Sequence, residues 1–520
     1  MFELTQMRCL ADIPRLQAHL RPDGTAQIFE GRRTTFAEFD QRTNQVARAL
    51  LELDFEPQSR VGYLGKNSDR YFELLFGAFK SNTVVVGVNW RLAAPEIEYI
   101  LNDADCKVLF VGAEYYDAAA QIAAHCPGIS TMVAMDGAHR EWPAFEAWRE
   151  TCTPDEVLVT IAADDDAVQL YTSGTTGQPK GVQLTNANFL ALFEATEAAQ
   201  WGVFEAGDAA LTCMPVFHIA GVNMGVLSIA QGTTNVVMKE VDPGLIVDFI
   251  SRYRINYVFF VPAVMLFMSR IPTIRDADFS SLKKLFYGAS PINEDLLKDS
   301  QEIFGCDFYQ VYGLTETTGA GTVLPPQDHA DGRLRSCGKS YPGIDIKIVG
   351  ADGESLPPGE VGEIAIRHAA VMKGYWNRAE ATDEAIIDGW FHTGDAGYTD
   401  EDGYIYIHDR VKDMIVSGGE NIYPAEIENA LSGHAAVAEV AVIGVPDERW
   451  GEAVKAVIVL NPGATTSIDE IIAFTRKRIA GFKVPKSIDF VDELPRNPSG
   501  KVLRRELRAP YWEGKARNVN

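Results

Sequence analysis

The stretch Val168-Gln169-Leu170-Tyr171-Thr172-Ser173-Gly174-Thr175-Thr176-Gly177-Gln178-Pro179-Lys180-Gly181 passes from an apolar, strand-like run into glycine, hydroxyl residues and one cation. Its three glycines let the backbone turn tightly and aim successive N–H groups at a single anion. Thr172, Ser173, Thr175 and Thr176 add hydroxyl donors. Lys180 adds a compact charge, worth a few kcal/mol at about 4 Å from a phosphate oxygen at intermediate dielectric. The spacing is not that of a Walker A loop, because Gly181 stands where a Ser or Thr would hold magnesium. Taken alone, such a segment is as often a solvent loop as a phosphate cradle. Its place directly after a strand-like run favours the cradle.

On the N-terminal side of this stretch and beyond it, short β-branched runs recur at Val84–Val88, Val108–Val111, Tyr257–Val261, Leu285–Tyr287 and Phe308–Tyr312. Segments of helical period, Phe39–Leu53 and Leu245–Tyr253, lie between them. Strand alternating with helix predicts mostly parallel sheets in α/β layers. From Gly338 to Arg367 the texture becomes alternating and Gly/Pro-punctuated, which predicts short antiparallel strands. After Asp409-Arg410 come a Gly-Gly turn, a Pro-initiated helix at Pro424 and strand-like runs at Ala436–Val445 and Val454–Leu460. The expected architecture is a large N-terminal part, residues 1–410, of two α/β subdomains and a small β-barrel. A small α+β domain, residues 411–520, follows it.

The 520-residue chain is 46% hydrophobic and 23% charged, which is ordinary for a folded enzyme and too long for one core. The N-terminus lacks the basic-then-apolar pattern of a secretory signal, and no run of about 18 uncharged apolar residues predicts a membrane span. Seven scattered cysteines without a CxxC pair suggest neither metal cluster nor disulfide framework, and a cytoplasmic setting is expected. Residues 411–520 carry 15 basic and 15 acidic side chains, so the net charge of −25 belongs to the first 410 residues. That acidic body argues against nucleic acid as a partner. Within Arg476–Arg508 basic residues outnumber acidic ones by ten to four, readable either as a solvated surface or as a local phosphate site.

The glycine-rich stretch resembles the phosphate loop of the adenylate-forming superfamily of acyl-CoA synthetases, peptide-synthetase adenylation domains and luciferases. The resemblance spans about Arg32 to Arg508 and rests on several motifs in the family's order. It implies ATP-dependent activation of a carboxylic acid to an acyl-adenylate, which supplies AMP as a leaving group. In Tyr309-Gln310-Val311-Tyr312-Gly313-Leu314-Thr315-Glu316-Thr317 it implies that Tyr312 stacks on adenine beside Gly313, Thr315 touches the α-phosphate and Glu316 ligates Mg2+. Tyr287-Gly288-Ala289-Ser290-Pro291 resembles a wall of the adenine and acyl pockets, with Gly288 letting ligand approach the backbone. Trp390–Asp395 and Ile407–Arg410 resemble ribose-binding elements, with Asp395 and Arg410 on the ribose. Pro495–Lys501 resembles the C-terminal lysine motif, and Lys501, with Thr175 and Glu316, is the expected catalytic set.

The acceptor is implied by softer matches. Gly418 and Gly419 resemble the wall of a pantetheine tunnel, Trp450 an aromatic facing it, and Phe482 with Lys486 a site for the nucleotide of coenzyme A. Val484 departs from relatives that carry a basic residue there. Lys412 falls at the family's hinge, so one site is expected to serve two reactions in turn. The acyl pocket is expected to involve His218, Ala220, Gly221, Val311 and Gly319, small or apolar positions that favour an apolar acid. A medium- or long-chain fatty acid is the first choice; an aryl or sterol side-chain acid and a carrier-protein acceptor are the alternatives. The expected partners are a small-molecule acid, ATP and coenzyme A, and the reading leaves room for a homodimer.

Overall fold

Three sheets make up the large N-terminal domain and a fourth the small C-terminal one. The computed structural model describes residues 7–513 except 173–177, 291, 331, 351, 411–412, 418–419, 448–449, 480 and 497–501. The first sheet has nine strands. Their lateral order is Lys339–Ser340, Thr322–Leu324, Asp307–Tyr312, Lys284–Gly288, Tyr257–Phe260, Ala209–Thr212, Thr234–Val237, Thr25–Phe29 and Arg32–Thr35. Its centre is parallel and both edges turn antiparallel. A seven-stranded sheet runs Gly374–Tyr375, Lys180–Thr185, Asp166–Thr172, Val84–Gly87, Arg60–Leu64, Val108–Val111 and Thr131–Ala134.

Local chemistry explains the helices that flank these strands. Helix Phe36–Leu51 starts at a capping box in which Thr35 accepts from the Glu38 amide and Glu38 accepts from the Thr35 amide. Helix Pro243–Tyr253 starts with Asp242 as cap and proline in its first turn, and stops where Arg254 turns left-handed at φ 52°. The apolar faces close over Val61, Phe72, Phe76, Val85, Val108 and Phe110, all with essentially no exposed surface. Burial of such side chains contributes roughly 1.5–3 kcal/mol each.

The Gly/Pro-punctuated segment enters two sheets. Lys339–Ser340 closes one edge of the nine-stranded sheet. Asp345–Val349 and Gly362–Arg367 join Ile386–Ile387, Trp390–Thr399 and Ile405–Arg410 in an antiparallel five-stranded sheet. That sheet stands where the small barrel was expected. The C-terminal sheet combines Ile415–Ser417, Glu420–Ile422, Val437–Asp447, Gly451–Leu460 and Ser487–Phe490 with helices Pro424–Ser432, Ile468–Arg476 and Arg504–Trp512. All seven cysteines are free thiols. Among the described residues no helix is long and apolar enough to cross a membrane.

Candidate active site

Ligands of open parallel sheets gather beyond the carboxyl ends of the strands, and the motif residues collect there. Thr172 ends its strand in the seven-stranded sheet. Gly288 ends one strand of the nine-stranded sheet and Tyr312 ends the next. Between these edges the Thr172 hydroxyl donates to Glu316 Oε1 at 3.3 Å, and the Tyr375 hydroxyl donates to the same oxygen at 3.1 Å. The Lys180 ammonium sits 4.8 Å from the Tyr375 ring centre, and no carboxylate pairs with it among the described residues. Burial pushes the Tyr375 phenol well up, and the neighbouring Glu316 adds to this, so the phenol stays a donor.

Tyr375 was not legible as a site residue, yet it joins the other two. Its two-residue strand Gly374–Tyr375 pairs with Lys180–Thr185, placing Tyr375 opposite Val182. The next residue, Trp376, holds the strand from outside: the Arg60 guanidinium lies 3.6 Å from its ring centre, and its indole N–H donates to the Asp103 carbonyl at 2.9 Å. Lys180 itself opens a strand paired antiparallel to Asp166–Thr172, with Thr172 directly opposite. Thr172 and Lys180 are therefore paired across two antiparallel strands, at the two ends of the glycine-rich stretch. A Walker A loop instead leads into a helix N-terminus. Ser173, Gly174, Thr175, Thr176 and Gly177 lie outside the described residues.

A second group of motif residues meets beside the first. The Tyr312 hydroxyl donates to Asp395 Oδ2 at 2.9 Å. Burial first, and the Asp395 charge second, raise the phenol far above its ordinary range. Asp395 pairs through the backbone with Arg410, whose side chain lies outside the described residues. Glu363 accepts from the Gly394 amide at 2.8 Å and contacts His392 Nδ1 at 2.8 Å, which fixes the turn that presents Asp395. Thr315 opens the 3-10 turn Thr315–Thr317 that carries Glu316. Gln310 was missed in the sequence: its Oε1 is buried without a partner, two residues before Tyr312.

The glycines of this region answer to neighbouring backbone as much as to a ligand. A Cβ on Gly288 would lie 2.1 Å from the Val311 carbonyl oxygen, and one on Gly313 would lie 2.3 Å from that of Gly319. A Cβ on Gly221 would meet the Pro215 oxygen at 2.3 Å. Gly288 was expected to make room for ligand; the structure gives that space to the adjacent strand. Gly319 is left-handed at φ +83°, and so is Ala289 at +65°, a conformation that an alanine adopts only under strain. Ala289 and Ser290 are exposed at the strand's end.

His218, Ala220 and Gly221 form the start of helix Ile219–Ala230, with His218 as its N-cap residue. Burial, and then the nearby Arg91 charge, hold the His218 imidazole down to about 4, so it is neutral at neutral pH. Arg91, stacked 4.4 Å from the Trp90 ring centre, is a cation near this wall that no motif announced. Val311 lies beside Gly288 in the sheet. A cavity of about 340 Å³ lies at the far end of the same helix, lined by Arg21, Phe193, Phe204 and Leu227 and by none of the motif residues.

On the small domain, Trp450 and Phe482 expose 40% and 44% of their surface, and Lys486 is exposed. Val484 is core, 3% exposed, which accounts for its apolar character. Part of the basic run is neutralised within the domain: Lys483 pairs with Glu426, Arg496 with Glu439, Arg504 with Glu428, and Arg508 with Asp413. Arg476, Lys477, Arg478 and Arg505 remain exposed with Lys486. Lys412, Gly418, Gly419 and Lys501 lie outside the described residues. Among the described residues no group of three or more His, Cys, Asp or Glu side chains is set to hold a metal ion.

A two-domain α/β chain whose loop, carboxylate and aromatic motifs meet at the carboxyl edges of two sheets has the layout of an adenylate-forming enzyme. The AMP-binding enzyme family model matches residues 15–376, and that of the AMP-binding enzyme C-terminal domain matches residues 426–501. The chain belongs to this family and is a ligase. It is 42% identical over 520 residues to the fatty acid–[acyl-carrier-protein] ligase ScoC of Streptomyces coeruleorubidus, covering 99% of each chain. It is 38% identical over 503 residues to a feruloyl-CoA synthase of Amycolatopsis sp, covering 96% of this chain and 99% of that one. A solved Mycobacterium tuberculosis fatty acyl CoA synthetase superposes with a TM-score of 0.78 at 34% identity, covering 98% of this chain and 100% of the other.

Proposed function

We propose that this enzyme adenylates a carboxylic acid with ATP and then passes the acyl group to the thiol of coenzyme A. One observation carries the reading: Thr172 and Tyr375 hold one oxygen of Glu316 while Lys180 rests unpaired by carboxylate on the Tyr375 ring. A cation and a carboxylate kept this close, bridged by an aromatic rather than by each other, suit an anion carrying its own divalent cation. The Glu316 carboxylate and the Thr172 hydroxyl are hard oxygen donors that fit Mg2+. Bound there, the ion neutralises phosphate charge. Lys180 and the glycine-rich Ser173, Gly174, Thr175, Thr176 and Gly177 hold the phosphates. Tyr312 and Gly313 face the base, and the buried Gln310 oxygen is placed to accept from a base amine. Asp395 and Arg410 receive the ribose, and Thr315 and Lys501 address the α-phosphate.

Residues 1–410 supply the nucleotide and acyl sites and residues 411–520 supply Lys501 and the thiol path, with Lys412 as pivot. The pantetheine path runs by Gly418, Gly419 and Trp450, and Phe482 with Lys486 takes the nucleotide end of coenzyme A. A carrier-protein thiol is the second reading, favoured by the 42%-identical relative, a fatty acid–[acyl-carrier-protein] ligase. The experiment is incubation with ATP, Mg2+ and a panel of acids, following AMP and thioester with and without free coenzyme A. Thioester formation on free coenzyme A is expected. AMP turnover that ignores coenzyme A but responds to a phosphopantetheinylated carrier would overturn the first reading in favour of the second.

A further inference from the structure

The wall formed by helix Ile219–Ala230 and the turn Thr318–Gly321 contains polar groups that the apolar positions around them do not explain. Asn223 lies one helical turn after Ile219, and a Cβ on Gly319 would sit 2.9 Å from its side-chain nitrogen. That nitrogen donates to the Thr318 carbonyl at 2.8 Å. A carbonyl can only accept, so this bond fixes the orientation of the amide. Its Oδ1 is left buried with no partner.

Two more such groups flank the same turn. Tyr341, 1% exposed, anchors its amide to the Gly321 carbonyl at 3.2 Å, and its hydroxyl is buried without a partner. The Trp201 ring lies 5.2 Å from the Tyr341 ring, and its indole N–H is also buried and unpartnered. Trp201 packs in the apolar cluster that includes Met224, the residue after Asn223, and Leu227, one turn beyond it. Each buried polar group left unpaired costs roughly 1–3 kcal/mol. A purely aliphatic acid would leave all three in that condition.

The three orphans are an acceptor, a donor and a hydroxyl that serves as either. An ammonium on the ligand would leave the Trp201 N–H unpaired, and a second carboxylate would leave Asn223 Oδ1 unpaired. A hydroxyl group both donates and accepts. We propose that the acid activated by this enzyme carries a hydroxyl on an otherwise apolar skeleton, donating to Asn223 Oδ1 and accepting from the Trp201–Tyr341 pair. The inference rests on the acid-activating reading of the site and narrows its substrate class.

The test measures pyrophosphate release for matched acids that differ by one hydroxyl: cinnamate and 4-hydroxycinnamate, 3-phenylpropanoate and its 4-hydroxy form, decanoate and 10-hydroxydecanoate. At least one hydroxylated member is expected to exceed its plain partner at least about tenfold in kcat/KM, because a site built for a hydroxyl discriminates against its absence. Asn223→Leu is expected to erase that ratio. Trp201→Phe, which removes only the N–H donor, is expected to reduce it with the ring retained. Equal or better use of the plain acid in every pair, or a ratio unmoved in both variants, would overturn the proposal. A preference for matched ω-carboxylates would overturn it as well. Silence with every acid would strike the acid-activation reading itself, an outcome distinct from turnover without discrimination.

Discussion

Tyr312 and Asp395, 83 residues apart in the chain, meet through a phenol–carboxylate hydrogen bond of 2.9 Å that ties the nine-stranded sheet to the small antiparallel one. The carboxylate is thereby aimed before any nucleotide arrives. Tyr312→Phe keeps the ring and removes the tether. A hydrogen bond to a charged partner contributes about 1.5–3 kcal/mol. We expect KM for ATP to rise about tenfold with a smaller change in kcat, measured by pyrophosphate release at saturating acid. An unchanged KM would show that the Tyr312 tether does not orient Asp395.

Tyr375 touches both Lys180 and Glu316, the two poles of the proposed phosphate site, so its two contacts separate by substitution. Tyr375→Phe loses the hydroxyl on Glu316 and keeps the face beneath Lys180; Tyr375→Leu loses both. The Phe variant is expected to shift the Mg2+ concentration at half-maximal rate about threefold or more. The Leu variant should in addition weaken ATP binding, read by calorimetry. Identical behaviour of the two variants would mean that the ring does nothing for Lys180.

Lys501→Ala is expected to lower adenylation by about 10²–10³-fold. Thioester formation from a supplied acyl-adenylate should be largely spared. Single-turnover assays of each half-reaction check this, and equal loss in both would end the two-conformation scheme around Lys412.

His218 gives a pH signature. Burial favours its neutral form, so the unfolded chain takes up the proton more readily than the folded one. The depressed folded value means that stability is intact above about pH 6.5 and falls as pH drops towards about 4. The loss is about 3 kcal/mol by linkage. Thermal melts of the native enzyme and His218→Gln between pH 7 and 4 should converge at low pH as this component disappears. Parallel curves would exclude it.

Much of the layout could be read from the chain because its strands are short β-branched runs whose period is local. Val108–Val111 is a strand at those bounds, and Leu285–Tyr287 grows by one residue at each end to Lys284–Gly288. Phe39–Leu53 shifts to Phe36–Leu51, where the Thr35–Glu38 capping box starts the helix three residues earlier than its apolar period suggests. Thr172 and Lys180 announced themselves by the composition of their stretch, and Glu316, Tyr312 and Asp395 through the family resemblance of the motifs around them. Tyr375, Gln310, Glu363, Trp201 and Asn223 did not. Tyr375, Glu363, Trp201 and Asn223 each meet a residue far away in sequence, and Gln310 is marked only by the burial of its oxygen. An aromatic, an amide or a carboxylate within an ordinary strand or helix has no local mark of a long-range contact. The fate of the basic run was hidden for the same reason: Arg504 and Arg508 are neutralised by Glu428 and Asp413, far upstream in the chain.

The close approach at Gly288, Gly313 and Gly221 sets which mutations can retune this enzyme. At each a peptide carbonyl lies barely two ångströms from an added methyl group, so a side chain would displace backbone: the adjacent strand at Gly288, the Gly319 turn at Gly313 and the Pro215 segment at Gly221. On the proposed placement of the acyl pocket, acid size and shape are adjustable from the first turns of the helix that begins at Ile219, at positions other than Gly221. Libraries aimed at new acids belong on Ala220 and Asn223, and saturation of Gly288, Gly313 and Gly221 should return mostly unfolded protein.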